Sequence, residues 1–173
     1  ASLPAVRYAL VGTFAHPNDF TGWKEAAAWL RPTVGDEPLV ASDFELAAQL
    51  SFALGRRDLQ VLDHPLNHKH GRAAQLEAWG VLQERRPTRP AWFVLDDTAL
   101  KMKLRPPQYR LQCEIFGTLP PPRELLVDHG RKRYFLYRFD PAAKAGSACI
   151  SPALAFIDAP ATQAKLPSRF EVR

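Results

Sequence analysis

The feature of this sequence that most constrains its fold is the alternation of amphipathic segments with short apolar runs in its N-terminal half. Apolar side chains recur at helical spacing in residues 23–30 and 46–54. Short apolar runs stand at residues 38–41, 60–62 and 91–95, and the last of them is continuous, as in a strand buried on both faces. This alternation predicts a three-layer α/β fold, in which helices flank a mainly parallel sheet.

Local signals mark where the helices begin and end. Pro32 predicts the end of the first helix, because proline does not continue a helix. Ser42 and Glu45 stand at capping-box spacing, which predicts that Ser42 caps the second helix. That helix is expected to end at Gly55, a residue suited to the left-handed conformation, and a short helix is expected over residues 72–79.

The residues after Pro107 have a different character. Segments 112–116, 125–127 and 134–139 favour extended structure. Residues 128–130 supply turn chemistry between the last two segments. We therefore expect an antiparallel hairpin at one edge of the sheet.

The length of the chain predicts one hydrophobic core. A chain of 173 residues buries roughly two thirds of its unfolded surface, so it needs no metal or disulfide to hold it together. We expect residues 1–140 to form a soluble α/β domain, and residues 141–173 to be a linker and the start of a further, truncated module. No apolar run approaches the roughly 20 residues of a membrane helix. Ala1 does not open a signal peptide, so we interpret it as an internal boundary or a processed end.

The chain carries a formal net charge of +5, which predicts attraction to an anionic partner. Nucleic acid, acidic lipid headgroups and a phosphorylated substrate all fit this sign. The basic residues are spread out rather than packed into one arm, so a solvated basic face is the simplest interpretation. A basic nucleic-acid-binding module stays an alternative that charge alone supports.

The chain has two cysteines, Cys113 and Cys149, which are too few and too far apart for a structural zinc site. They could pair in an oxidising compartment. Because Cys113 falls in a segment that is expected to be a strand, we expect it to be a buried free thiol.

The densest polar cluster lies in residues 63–72 and holds three of the five histidines. His68 and His70 could face one ion if the segment were extended, with Asp63 or His64 completing a metal site. A lysine between them brings a like charge close, so a hydrogen-bonded surface loop is the simpler interpretation. A free-standing metal-assisted hydrolase that uses this loop remains an alternative.

No other motif predicts catalysis. The sequence has no Gly-x-Ser-x-Gly elbow and no phosphate-binding glycine loop, and no cofactor is expected. Asp96 and Asp97 follow a predicted strand, where α/β domains often place their chemistry. Adjacent carboxylates usually point in different directions, so one of them is more simply a helix cap than a general base.

Three stretches of the sequence, taken together, resemble a known family. They read GWKE at residues 22–25, VASDFELAAQLSF at residues 40–52 and NHKHGRAAQLEAW at residues 67–79. In order and spacing, over residues 15–140, they are similar to the segment beyond the last membrane helix of bacterial family-39 glycosyltransferases. These enzymes are relatives of the protein mannosyltransferases and of the aminoarabinose transferases of lipid A.

The resemblance implies a multi-pass membrane enzyme that transfers a sugar from a polyprenyl-phosphate donor on the extracytoplasmic (periplasmic) face of the inner membrane. In that family the acidic catalytic residues belong to loops between membrane helices, so this chain would be a non-catalytic domain. The implied partners are its own transmembrane portion, a lipid-linked sugar or glycan acceptor and an anionic membrane surface, but no nucleic acid. The chain departs from the family's pattern at Leu76 and Glu77, where relatives often have tyrosine, and at the histidines of residues 64–70.

A candidate binding surface follows from the resemblance and from the position of these stretches in the predicted sheet. Side chains that follow the second and third predicted strands would lie together at the carboxyl end of the sheet, where α/β folds bind ligands. We expect weak binding of a sugar or a polyprenyl phosphate there. The predicted ligand-binding residues are Asp43, His64, Asn67, His68, His70, Arg72, Gln75 and Trp79.

Overall fold

The computed structural model of the protein describes residues 22–97, 105–117, 119–127 and 132–142. In chain order these residues form α1 (Trp23–Val34), β1 (Leu39–Ala41), α2 (Phe44–Leu54), β2 (Gln60–Leu62), a 3₁₀ helix (Pro65–Gly71), α3 (Arg72–Ala78), β3 (Leu82–Gln83), β4 (Ala91–Asp96), α4 (Arg105–Phe116), β5 (Arg123–Val127) and β6 (Lys132–Phe139).

The strands form one mixed sheet of six strands in the order β3-β2-β1-β4-β6-β5. β1 pairs in parallel with β2 and with β4, and β2 pairs in parallel with β3. β6 is antiparallel to both of its neighbours, β4 and β5. The predictions of a mainly parallel sheet and of an antiparallel hairpin at one edge are both confirmed.

One face of the sheet is covered by α1, α2 and α3. Alternate strand residues such as Leu39 and Val94 face these helices, whose apolar faces carry Leu30, Leu50 and Leu76. All five of these side chains are at most 5% exposed. The apolar residues that recur at helical spacing in α1 and α2 are therefore the residues that form this core.

The other face of the sheet is covered by α4. Phe93, at the centre of β4, packs against Phe116 of α4 and Tyr137 of β6, with ring centroids 4.9 and 5.9 Å apart. Tyr109 of α4 belongs to the same cluster. The strand β4 is thus buried on both faces, as its continuous apolar run predicts, and the described residues form three layers.

The prediction of a strand over residues 112–116 is wrong, because these residues belong to α4. Its most deeply buried side chains are Tyr109, Gln112 and Phe116, which lie three and four residues apart and therefore face the same side of a helix. The five-residue window leaves out Tyr109, so the helical period does not show in it. The two prolines follow Arg105 in the first turn, where a helix needs no N–H donor.

Two other boundaries also differ from the sequence predictions. α1 continues past Pro32 to Val34, because Val34 is buried in the core and Gly35, with a φ of 53°, follows as the C-cap. The cap of α2 is Asp43 rather than Ser42, since the Asp43 carboxylate accepts a hydrogen bond from the backbone N–H of Leu46. The predicted end of α2 at Gly55 is confirmed, with a φ of 72°.

Cys113 lies on α4 and takes part in a disulfide bond, so the prediction of a free thiol in a strand is wrong. Cys149 lies outside the described residues, as do the predicted turn at residues 128–130 and nearly all of the predicted linker at residues 141–173. The longest described helices, α1 and α4, have 12 residues each. Within the described residues no helix is long and apolar enough to cross a membrane.

Candidate ligand-binding sites

The parallel strands β1, β2 and β4 end at the same side of the sheet, which we call its carboxyl end. Ser42, Asp63 and Asp97 directly follow these three strands. The strand order reverses between β1 and β4, because the chain proceeds from β1 to β2 on one side and returns to β4 on the other. Open α/β sheets commonly bind ligands in a crevice at such a reversal point.

In this protein the reversal point is closed by polar side chains. The hydroxyl of Ser42 accepts a hydrogen bond from the backbone N–H of Asp96 at 3.3 Å and donates one to the Asp43 carboxylate at 3.0 Å. The Tyr109 hydroxyl donates to the Asp97 carboxylate at 3.3 Å, which connects α4 to the end of β4. Ser42, Asp96 and Asp97 are all buried, so the described residues leave little room for a ligand between β1 and β4.

Asp43 has a structural role as the N-cap of α2. One carboxylate oxygen accepts from the backbone N–H of Leu46 at 2.8 Å, and the other accepts from the Ser42 hydroxyl at 3.0 Å. Burial raises the pKa of Asp43, and these hydrogen bonds together with one from Glu45 oppose the rise. A partly buried carboxylate that is engaged in this way holds the helix terminus and is poorly placed to contact a ligand.

Asn67 is also structural, although it is among the predicted ligand-binding residues. Its side-chain oxygen accepts from the backbone N–H of Phe44 at 3.2 Å, and its side-chain nitrogen donates to the carbonyls of Ser42 and Leu62 at 3.1 and 2.8 Å. The residue is only 1% exposed. Asn67 therefore fastens the 3₁₀ helix to the ends of β1 and β2.

The histidine cluster separates into a buried and an exposed part. Burial lowers the pKa of His64, the nearby His68 acts in the same direction, and Asp63 opposes both. His68 is exposed and contacts the Asp63 carboxylate through Nε2, whereas the side chain of His70 lies outside the described residues. Among the described residues no three His, Cys, Asp or Glu side chains are arranged to hold a metal ion.

The part of the predicted surface that stays accessible lies on α3 and the loop before it. The guanidinium group of Arg72 stacks on the ring of Phe44 at 3.7 Å from its centroid, and Gln75, one turn further along α3, is exposed. Together with Asp63 and His68 these two side chains form what we call the carboxyl-end surface. It consists of Asp63, His68, Arg72 and Gln75.

Trp79, the last of the predicted ligand-binding residues, lies at the opposite end of the sheet. It directly follows α3, which begins at the carboxyl end and runs back toward the starts of the strands. Its side chain is 64% exposed and lines a cavity of about 510 Å³ that we call the amino-end cavity. The cavity lies where the parallel strands begin, and its lining includes Pro38, Arg57, Asp58, Gln60, Trp79, Val81, Gln83, Arg86, Arg89 and Ala91.

The amino-end cavity is positively charged. Among the described lining residues Asp58 is the one carboxylate; it accepts two hydrogen bonds from Arg56 at 2.9 and 2.7 Å, and this contact lowers the pKa of Asp58, with a smaller contribution from Arg89. The guanidinium group of Arg56 is also held by the carbonyls of Gly35 and Glu37. The three lining arginines therefore remain as an excess of positive charge.

The sequence did not predict this cavity. Its lining residues come from four separate segments of the chain, which meet only because of the order of the strands in the sheet. The spacing of Arg86 and Arg89 between two apolar runs was the available signal, but it does not say which end of the sheet the loop occupies. Comparison of the chain with models of known protein families, with curated proteins and with solved structures finds no match.

Proposed function

We propose that this chain is a non-catalytic extracytoplasmic domain of a membrane glycosyltransferase that uses a polyprenyl-phosphate sugar. In this proposal the carboxyl-end surface contacts the acceptor glycan or the headgroup of the donor. The starting point is the resemblance of three sequence stretches to bacterial family-39 glycosyltransferases.

The observation that carries the proposal is the contact between two of these stretches, residues 40–52 and 67–79. Asn67 of the later stretch hydrogen-bonds to the backbone of Ser42 and Phe44 in the earlier one. Arg72 of the later stretch stacks on the ring of Phe44. Residues that are distant in sequence thus build one local structure, which is expected if the stretches form one site rather than three unrelated similarities.

The first stretch, residues 22–25, supports the fold rather than the surface. Trp23 is buried against Tyr134 of β6, with ring centroids 6.0 Å apart, and the ammonium group of Lys132 lies 4.3 Å from the centre of the Trp23 ring. This stretch therefore anchors α1 to the hairpin.

The chemistry of the carboxyl-end surface suits a sugar or a phosphate headgroup. The guanidinium group of Arg72 offers several N–H donors in a plane, and the Gln75 amide both donates and accepts. Sugar hydroxyls can both donate to and accept from the amide, and a phosphate favours the guanidinium group. The polar groups beneath the surface, Ser42, Asp43 and Asn67, already bond to the protein, so contacts to a ligand would come from the more accessible side chains of the carboxyl-end surface.

A titration followed by NMR tests the binding part of the proposal. The probes are a water-soluble short-chain isoprenyl-phosphate mannose and a neutral mannose oligosaccharide, each added to about millimolar concentration. We expect saturable shifts of the amide signals of His68, Arg72 and Gln75. Gln75→Ala should weaken binding by roughly tenfold, which corresponds to about 1.4 kcal/mol.

Glu77→Ala is the matched control, because Glu77 is an exposed residue of the same helix two positions further on and faces another direction. It should leave the affinity unchanged. The absence of shifts with both probes would contradict the binding role. A gene that encodes this chain without any membrane-spanning segments would contradict the glycosyltransferase assignment itself.

A further inference from the structure

We propose that the amino-end cavity is a second binding site, which takes a sugar phosphate. This inference is independent of the carboxyl-end surface and of the proposed glycosyltransferase role. The cavity volume of about 510 Å³ falls within the range of about 300–1,000 Å³ that small-molecule sites occupy. It lies at the end of the sheet opposite to the carboxyl-end surface.

The charge of the cavity matches a phosphate ester. Among the described residues, three arginines, Arg57, Arg86 and Arg89, and one aspartate line the cavity, and together they carry a net formal charge of +2. A phosphate monoester carries a charge of about −1.5 to −2 at neutral pH. Since the Asp58 carboxylate is already bound by Arg56, it opposes an incoming anion only weakly.

The lining arginines are available to an anion. In the described part of the chain none of the three guanidinium groups forms an ion pair with a carboxylate. Arg57 and Arg89 are exposed at the mouth of the cavity, whereas Arg86 is half-buried with its guanidinium group 5.0 Å from the centre of the Phe139 ring. That stacking fixes Arg86 in place before a ligand binds, which lowers the entropic cost of binding.

The remaining lining suits a sugar ring. Trp79 exposes 64% of its surface, a high value for so large an apolar side chain, and the C–H face of a pyranose ring would cover its indole. The amide of Gln60 can donate to and accept from sugar hydroxyls. The arginines alone would be enough to bind a phosphate. The Trp79 indole and the Gln60 amide therefore favour a ligand that also carries a sugar.

Isothermal titration calorimetry on the whole chain tests the proposal with four probes, namely glucose 6-phosphate, glucose, inorganic phosphate and adenosine monophosphate. We expect glucose 6-phosphate to bind with the highest affinity and glucose with the lowest. Stronger binding of adenosine monophosphate would overturn the sugar assignment in favour of a nucleotide. Absence of saturable binding with all four probes at about millimolar concentration would overturn the site.

Variants connect the binding to this cavity. Arg89→Gln and Arg57→Gln should each weaken glucose 6-phosphate binding by at least about tenfold, because each removes a charge-assisted contact. Trp79→Ala should weaken binding of the sugar phosphate but not of inorganic phosphate. These three residues are exposed, so their replacement should not affect folding, which circular dichroism can check.

Arg85→Gln is the matched control, since Arg85 is an exposed arginine in the same loop that does not line the cavity. An equal loss of affinity in Arg85→Gln and Arg89→Gln would overturn the site in favour of non-specific attraction. Gln75→Ala should leave glucose 6-phosphate binding unchanged, so failure of this inference and failure of the proposed function can be told apart.

Discussion

At the scale of single residues, Asn67 connects several elements at the carboxyl end of the sheet. One buried side chain satisfies the backbone N–H of Phe44 and the carbonyls of Ser42 and Leu62. A buried backbone group that loses its partner costs about 1–3 kcal/mol. We therefore assign Asn67 a structural role rather than a role in ligand binding.

Asn67→Ala is expected to lower the free energy of unfolding by about 3 kcal/mol, because it removes three hydrogen bonds to backbone groups, two of them buried and one partly buried. Urea denaturation measures the change. Gln75→Ala, which replaces an exposed polar residue, serves as the comparison and should change the stability by less than about 0.5 kcal/mol. A similarly small change for Asn67→Ala would show that this side chain does not hold the 3₁₀ helix.

His64 makes the stability of the protein dependent on pH. Burial holds its pKa below the ordinary value of 6.5, with His68 adding to this effect and Asp63 opposing it. Between the folded and the unfolded pKa the unfolded chain binds more protons, so stability rises with pH. The contribution is fully present above about pH 6.5 and is lost as the pH falls through the folded pKa.

We expect the free energy of unfolding to be lower at about pH 5.5 than at about pH 7.5, and His64→Gln to reduce this difference. His68→Gln should retain most of the difference, because burial is the largest cause of the shift at His64. Comparing each variant with the parent chain removes the contributions of Asp43 and Asp58, whose pKa values also depart from their ordinary range. A difference that His64→Gln leaves unchanged would assign the pH dependence to other groups.

At the scale of elements, the sequence predicts helices better when the amphipathic pattern is long. The apolar patterns at residues 23–30 and 46–54 each extend over more than two turns, and α1 and α2 were both predicted from them. A pattern read over only five residues at 112–116 predicted the wrong structure, because the buried Tyr109 lay outside the window. β3 was missed since its two residues, Leu82 and Gln83, are too few to show any period.

The start of α1 depends on a close approach that only glycine permits. Gly22 has a φ of 84°, and a Cβ atom there would come within 2.8 Å of a Val127 methyl group on β5. Gly22→Ala places a side chain on a left-handed backbone, which costs about 1–2 kcal/mol, and also overpacks the contact with Val127, which costs about 1–3 kcal/mol. We therefore expect a loss of at least about 2 kcal/mol in the free energy of unfolding, measured by urea denaturation.

Gly55→Ala separates the two causes, because Gly55 has a similar φ of 72° but no atom within 4 Å of the position of a Cβ. It should lose only the backbone part, about 1–2 kcal/mol. Equal losses at Gly22 and Gly55 would mean that Val127 and its strand move aside without cost.

At the scale of the whole molecule, the sheet separates two hydrophobic cores, and the two candidate sites lie at its opposite ends. The three-layer fold follows from alternation in the sequence, since β4 has to bury both of its faces. The position of the candidate sites follows only in part. Because α/β folds bind ligands beyond the carboxyl ends of their strands, the sequence predicted that His68, Arg72 and Gln75 lie at that end, and the structure places them there. Trp79 was expected at the same end but lies at the opposite one, because α3 runs back toward the starts of the strands.

The hydroxyl bridge from Ser42 to the backbone of Asp96 has a consequence for how this scaffold could diversify. Open α/β sheets commonly have a crevice at the point where the strand order reverses, and their ligands bind there. In this protein the Ser42 hydroxyl occupies that position, where it hydrogen-bonds to the backbone N–H of Asp96 and to the Asp43 carboxylate. Among the described residues the candidate sites accordingly lie away from the reversal point, and Ser42→Ala, which removes both hydrogen bonds of this hydroxyl, is the smallest change that would break the bridge between β1 and β4.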